Sequence, residues 1–306
     1  MEDGWPIPVM RKEFQHVPNG KCIAEELIAT WPKLKVQADA APYVEEQVKQ
    51  NNASYIKMFH ELGDSIGMPL PPPPMDVQKA VVKAAHNHNV ITVGHAFSHA
   101  GAMALLQAGV DGLTHIFFDR APSDEFVTYM KTHSAHCCPT LGLAASQTGE
   151  MVELQHRFLK DPFAQRMLLN KAAGKPVGFA MSERPRSSFE NACDNVKKLY
   201  AAGVPILVGT DAAGKQLGTS YGLGVHMEMY LLSHMVGMTP TDVLKAATTT
   251  VAERFGFKDR GRIEEGLNAD LVLLKGDVVG VLRDTASLCL PIKSAWKQGV
   301  PVTGLA

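Results

Sequence analysis

No apolar run in this 306-residue sequence approaches the roughly 20 residues needed to cross a bilayer, so no membrane-spanning helix is expected. Neither charge is in excess: 30 Lys and Arg stand against 31 Asp and Glu, a net charge of −1. Without a basic stripe interleaved with aromatics, the chain lacks the electrostatic footprint of a nucleic-acid binder. Cysteine is scarce and scattered. Cys22, Cys137, Cys138, Cys193 and Cys289 make an odd count with no CxxC pair, which argues against a disulfide framework or a cysteine zinc site. The opening residues "MEDGWPIPVMRKEF" lack the charged-then-apolar layout of a signal peptide. A cytoplasmic protein with reduced thiols is therefore expected. Cys137 and Cys138, in an apolar segment, read as small core residues.

What is present is an ordinary globular balance, 45% apolar and 20% charged, on a length that suits one large α/β domain with or without a small appendage. From residue 43 onward, helical and strand patterns alternate. "YVEEQVKQNNA" is amphipathic and leads into the strand "SYIKMF". A proline run, with Asp76 at the expected helix start, precedes a helix and the strand "ITVGHAF". "SHAGAMALLQAGV" is a helix closed by Gly109, followed by the strand "DGLTHIFF". "DEFVTYMKTHSA" leads into "HCCPTLG", and a helical stretch over 150–173 is followed by "SSFENACDNVKKLYAAGV" and the strand "PILVGTDA". Five strands of nearly continuous apolar character imply a parallel sheet buried on both faces. Thr239-Pro240 opens one more helix, ending near Gly256, and short strands with Gly turns follow in "GRIEEGLNADLVLLKGD" and "IKSAWKQGVPVTG".

The informative polar residues fall at or near the C-terminal ends of the strands: Lys57, His95, His115 and Asp211. Lys57 interrupts an apolar run and reads as pointing inward, where an unpaired ammonium costs several kcal/mol. A lone His in an apolar strand reads as a hydrogen-bonded core residue. Two at equivalent places in successive strands, with an Asp closing a later one, supply the donors a Zn²⁺ site requires. Both readings stay open at this level. His99, Tyr221 and His226 are candidate substrate contacts. For His226 and its neighbour Glu228, helix packing or surface exposure is the plainer reading. Residues 156–176 look like an insertion that forms a lid.

These segments resemble the amidohydrolase superfamily, in its imidazolonepropionase-like and prolidase-like branch. The resemblance rests on "ASYIKMF", "ITVGHAFSHAGAMALLQAGVDGLTH", "ILVGTDA" and "GMTPTDVLKAATTTVAERFGFKDRGRIEEGLNADLVLL", in the family's order, and covers roughly residues 43–303. It implies a metal-dependent hydrolase barrel. Lys57 would match the fourth-strand lysine that becomes carboxylated and bridges metals. His95 and His115 would match the fifth- and sixth-strand metal ligands. Asp211 would match the last-strand aspartate, which takes a proton from the activated water and also binds metal.

The family's first strand carries a His-x-His pair, and this sequence has no such segment. Its His-x-His, His86 to His88, lies at the end of a helix and reads as a solvated terminus, and His16 has nothing of the motif around it. Residues 1–42 are too few for three βα units, so the sequence reads as starting inside the barrel, without two or three strands. The expected fold is therefore α/β, an incomplete or modified (β/α)8 barrel over 43–258. A small β appendage, a remnant sandwich, is expected over 259–306, and an extension over 1–42 covers the barrel edge. An open sheet is a liability, so a homo-oligomer is expected.

Three functional readings follow. One is a hydrolase of an amide, lactam or similar C–N bond in a small molecule, with one Zn²⁺-type ion held by Lys57, His95, His115 and Asp211. In it Asp211, Lys57 and His115 are catalytic. Another is a metal-free isomerase, dehydratase or cyclase working by acid–base chemistry. The third is a catalytically silent paralogue.

Overall fold

A computed structural model describes residues 25–26, 29–30, 32, 34–63, 69–167, 187–212 and 221–303. His16, Cys22, nearly all of the 1–33 part of the expected extension and the later part of the expected lid lie outside these residues. Among the described residues, no helix is long and apolar enough to cross a membrane.

Helix α1 (Ala40–Lys49) buries Ala40 and Val44 and leads to β1 (Tyr55–Phe59). Helix α2 (Met75–Asn87) starts directly after the prolines, with Asp76 in its first turn facing the positive end of the helix dipole. It is followed by β2 (Ile91–His95). Helix α3 (His99–Ala108) has both ends written in the sequence: the Ser98 hydroxyl accepts the Gly101 N–H, and Gly109 closes it at φ +95°. Then come β3 (Gly112–Thr114), α4 (Asp124–Thr132) capped by Ser123, and β4 (His136–Cys138). The strands pair in parallel in the order β1-β2-β3-β4.

The fifth expected strand is reduced to a single bridge between Cys137 and Ile206. Cys137 N–H donates to the Pro205 carbonyl (2.9 Å) and Leu207 N–H to the Cys137 carbonyl (2.8 Å). The next bond would have to come from residue 139, a proline with no N–H, which ends the ladder, while Val208 N–H points away from β4 and donates to the Ala246 carbonyl at 3.0 Å. The strand expected in "DGLTHIFF" also stops early, because His115 adopts φ +73° and breaks the extended run.

Beyond β4 come α5 (Leu141–Thr148), α6 (Val152–Lys160), α7 (Pro162–Met167) and α8 (Phe189–Ala201). The single helix expected from residue 150 is thus divided, with extended Asp161 at the break. Helix α9 (Leu223–Leu231) runs into a π-turn closed by Gly237. Thr239 then caps α10 (Pro240–Ala246), as its Thr-Pro start predicts. The expected continuous helix to Gly256 breaks at Thr248, whose hydroxyl bonds back to the Leu244 carbonyl, and resumes as α11 (Thr249–Arg254). A separate antiparallel sheet, in the order β5-β6-β7, is formed by β5 (Leu271–Leu274), β6 (Ile292–Lys297) and β7 (Val300–Pro301), with α12 (Val278–Arg283) between its first two strands.

Register sorts the parallel sheet into two faces, since residues directly opposite share a side. Ile56, Met58, Leu113 and Cys137 form one face, buried in the main apolar cluster. The other carries Tyr55, Lys57 and Phe59 beside Ile91, Val93 and His95, then Gly112 and Thr114, then His136 and Cys138. Its lower end is plugged by Phe255, edge-to-face with Tyr55 at 5.2 Å and against His136 at 5.7 Å. Its upper end holds the polar cluster.

Candidate functional site

Each member of the cluster is placed by the end of a strand. His95 is the last residue of β2, and His115, Thr140 and Asp211 follow β3, β4 and the fifth strand position. Those last three have φ of +73°, +51° and +44°. Left-handed backbone costs a residue with a Cβ roughly 1–2 kcal/mol. Three such residues at successive strand exits, out of seven described non-glycine cases, mark this rim as the place where strain is kept.

His95 and His115 are 3% and 2% exposed, with ring centroids 4.7 Å apart and planes at 86°. Phe59 and Phe97 pack against the His95 ring at 5.0 and 4.6 Å. His95 Nε2 lies 3.4 Å from Glu61 Oε2. That carboxylate accepts the N–H groups of Gly63 (2.8 Å) and Phe97 (3.0 Å). His115 Nε2 lies 3.8 Å from Asp211 Oδ2, and its Nδ1 is 2.6 Å from the Thr140 hydroxyl.

Burial pushes the pKa of His95 down, and the Lys57 charge adds to this against the opposing pull of Glu61. His115 is held well below the ordinary range by burial, then by His95 and Lys57. Both rings are thus kept neutral. Burial raises the Glu61 pKa, but His95 and the two backbone donors together outweigh it and leave the carboxyl below its usual value. Burial also pushes the Cys138 thiol up to about 12, an inert thiol as its apolar setting predicts.

Of the four residues singled out by the sequence, His95, His115 and Asp211 are neighbours, and one expectation is corrected. Lys57 is exposed, not buried. It points to the inner face as expected, but β1 is the last strand of the sheet and leaves that part of the face open. Its Nζ lies over the Phe59 ring, 5.1 Å from the centroid.

The three secondary candidates lie elsewhere. His99 begins α3, with its backbone N–H on Asp119 (2.9 Å) and its ring against Phe117 and Ser123. His226 accepts the Leu290 N–H at 3.0 Å and stacks its ring edge on Phe163. Burial lowers its pKa to about 4. Tyr221 stands 60% exposed ahead of α9. His86 of the His-x-His pairs with Asp111 at 2.8 Å, beside the N-terminal end of β2.

Sequence reasoning missed Glu61, Thr140 and the buried role of Glu228. Glu61 left one faint signal, an acid two residues past the end of an apolar strand.

The donor types suit a borderline divalent cation: two neutral imidazoles, a carboxylate, and a buried His115 Nε2 with no hydrogen-bond partner among the described residues. Among those residues, no three His, Cys, Asp or Glu side chains close in on one point as a ligand set. A complete set would draw on a further donor.

Neutral imidazoles and a carboxylate thus gather beyond the C-terminal ends of the parallel strands of an α/β protein, the end of the sheet on which (β/α) barrels build their sites. The sequence matches the amidohydrolase family over residues 6–302, and the chain belongs to that family. It is 29% identical over 106 residues to the imidazolonepropionase of Deinococcus deserti, which spans 35% of this chain and 26% of that protein. It is 25% identical over 203 residues to the ochratoxinase of Aspergillus niger, 64% of this chain and 35% of that one. Its fold is similar to that of a Xaa-Pro dipeptidase crystallised with methionine in the active site. The TM-score is 0.64 at 21% identity, over 88% of this chain and 59% of the other. The chain thus spans less than two thirds of the length of these relatives.

Proposed function

We propose that this chain takes part in hydrolysing a C–N bond, of amide or lactam type, in a small organic molecule. His95, His115 and Asp211, joined by Lys57, would hold one divalent cation such as zinc. The observation that carries the reading is the approach of Asp211 to the buried pair: 3.8 Å from His115 Nε2, whose ring meets that of His95 at 4.7 Å. A cation held there supplies Lewis acidity toward a carbonyl and a water.

The chain's own residues do the rest. Burial keeps both imidazoles neutral, so each presents a lone pair. Glu61 anchors His95 at Nε2. Asp211, with half of its side chain exposed, can meet a substrate, take a proton from the attacking water and return it to the leaving nitrogen. Phe59 and Phe97 exclude water from one side.

The test is metal analysis of purified protein together with hydrolysis of a panel of N-acyl amino acids and lactams. About one equivalent of metal, activity lost on chelation and restored by zinc, supports the reading. Asp211→Asn is expected to lower kcat by roughly 10²–10⁴ with an unchanged melting temperature, because Asn also tolerates the left-handed backbone of this position. Activity that survives chelation would overturn it.

One observation favours a second reading. Lys57 lies over Phe59 in the manner of a free ammonium, which suits metal-free acid–base chemistry such as isomerisation, dehydration or cyclisation. Metal-independent turnover that is lost in Lys57→Met would support it.

A further inference from the structure

Thr140 occupies the N-cap position of α5, where a threonine hydroxyl ordinarily accepts an N–H from the first turn. Here it makes no such bond. At φ +51° and ψ +51° its hydroxyl is directed to His115 Nδ1, 2.6 Å away. The vacated cap is filled from another helix: Glu228 of α9 accepts the N–H groups of Leu141 (2.8 Å) and Gly142 (2.9 Å) with its two carboxylate oxygens. Glu228 is 0% exposed and Thr140 2% exposed, so neither group exchanges its partner for bulk water.

We propose that Thr140 and Glu228 are positioning residues for His115. Glu228 caps α5 in place of Thr140, and the hydroxyl so released clasps Nδ1 and turns Nε2 toward Asp211. Among the described residues the Thr140 hydroxyl has no other bonding partner, so in the cation-free chain it donates to Nδ1 and leaves the ring proton on Nε2. A hydroxyl both donates and accepts. The same clasp therefore survives when the proton moves to Nδ1 and Nε2 becomes a ligand, whereas a purely accepting carbonyl or carboxylate partner could hold only this second state. Only this second state rests on the function proposed above.

The experiment follows the imidazole nitrogens of the full chain, labelled with ¹⁵N-histidine and freed of metal by chelation. His115 is identified as the signal absent from His115→Gln. The expected spectrum is a single Nε2–H tautomer whose Nδ1 resonance is displaced by a hydrogen bond. Thr140→Val should abolish that displacement and Thr140→Ser should keep it. Glu228→Gln, which can accept only one of the two N–H groups, should weaken the displacement in the parent and change nothing further in Thr140→Val. The proposal falls if Thr140→Val leaves the Nδ1 resonance in place, or if Glu228→Gln acts equally with and without the hydroxyl. Adding zinc separates the two ideas. Transfer of the proton to Nδ1 supports both, and an unchanged spectrum sinks zinc binding at His115 while leaving the clasp intact.

Discussion

Burial pushes the Glu228 carboxyl up from an ordinary 4.5 to about 7, against the pull of the Gly142 and Leu141 N–H groups. The other titratable groups that feel its charge are the thiols of Cys137, Cys138 and Cys193, all raised by their own burial. An acid whose pKa rises on folding binds more proton in the folded state between the two values. Stability therefore falls as the pH climbs from 4.5 to about 7, and levels off above that. The difference is on the order of 3 kcal/mol. Urea midpoints of the parent and Glu228→Gln between pH 5 and 8 should show this slope in the parent and a flatter one in the variant. Parallel slopes would mean that Glu228 does not carry it. Lys57, His95, His115 and Asp211 could be read from the sequence because each is a polar residue in, or just beyond, an apolar strand. Thr140 and Glu228 could not. Their partners lie 25 and 87 residues away, and a threonine that fails to cap its own helix looks no different on paper from one that does.

At the scale of the elements, glycines in and beside the strands make room for side chains of the inner face. A Cβ on Gly112 of β3 would lie 2.2 Å from the ring of His136 on β4, whose Nδ1 accepts from Arg254 Nε at 3.4 Å. Gly112→Ala is thus expected to displace a ring that is 1% exposed and to cost about 1–3 kcal/mol, read as a lower urea midpoint. An unchanged midpoint would mean that the β3–β4 pairing yields more easily than its packing suggests. Gly209 stands in the same relation to Cys138, with a Cβ position 2.2 Å from its Sγ. Four of the five expected strands form. The fifth is a single bridge because Pro139, facing it beyond β4, has no N–H to donate to the Leu207 carbonyl.

For the whole molecule, the consequence of the strand order is that β1 lies at an edge, with Tyr55 43% exposed and Lys57 exposed on the inner face. Among the described residues no strand pairs with its outer side. Open edges favour pairing with another chain, so sedimentation equilibrium is expected to give a multiple of the chain mass, and Tyr55→Lys to shift the balance toward monomer. A strictly monomeric parent at micromolar concentration would remove the expectation of a homo-oligomer.

The sequence by itself determined the alternation of helix and strand, the cap at Thr239, the helix stop at Gly109, and the four polar residues of the rim. These follow from short-range chemistry: apolar runs, hydroxyls ahead of helices, and charges that do not belong in a buried strand. Only the tertiary structure decided which way Lys57 faces solvent, that Glu61 holds His95, and that Glu228 caps a helix so that Thr140 can hold His115. Those depend on which elements meet across the sheet, and burial turns such meetings into energy. A carboxylate on the surface has water to satisfy it, whereas one enclosed by α5 and α9 must find its partners there.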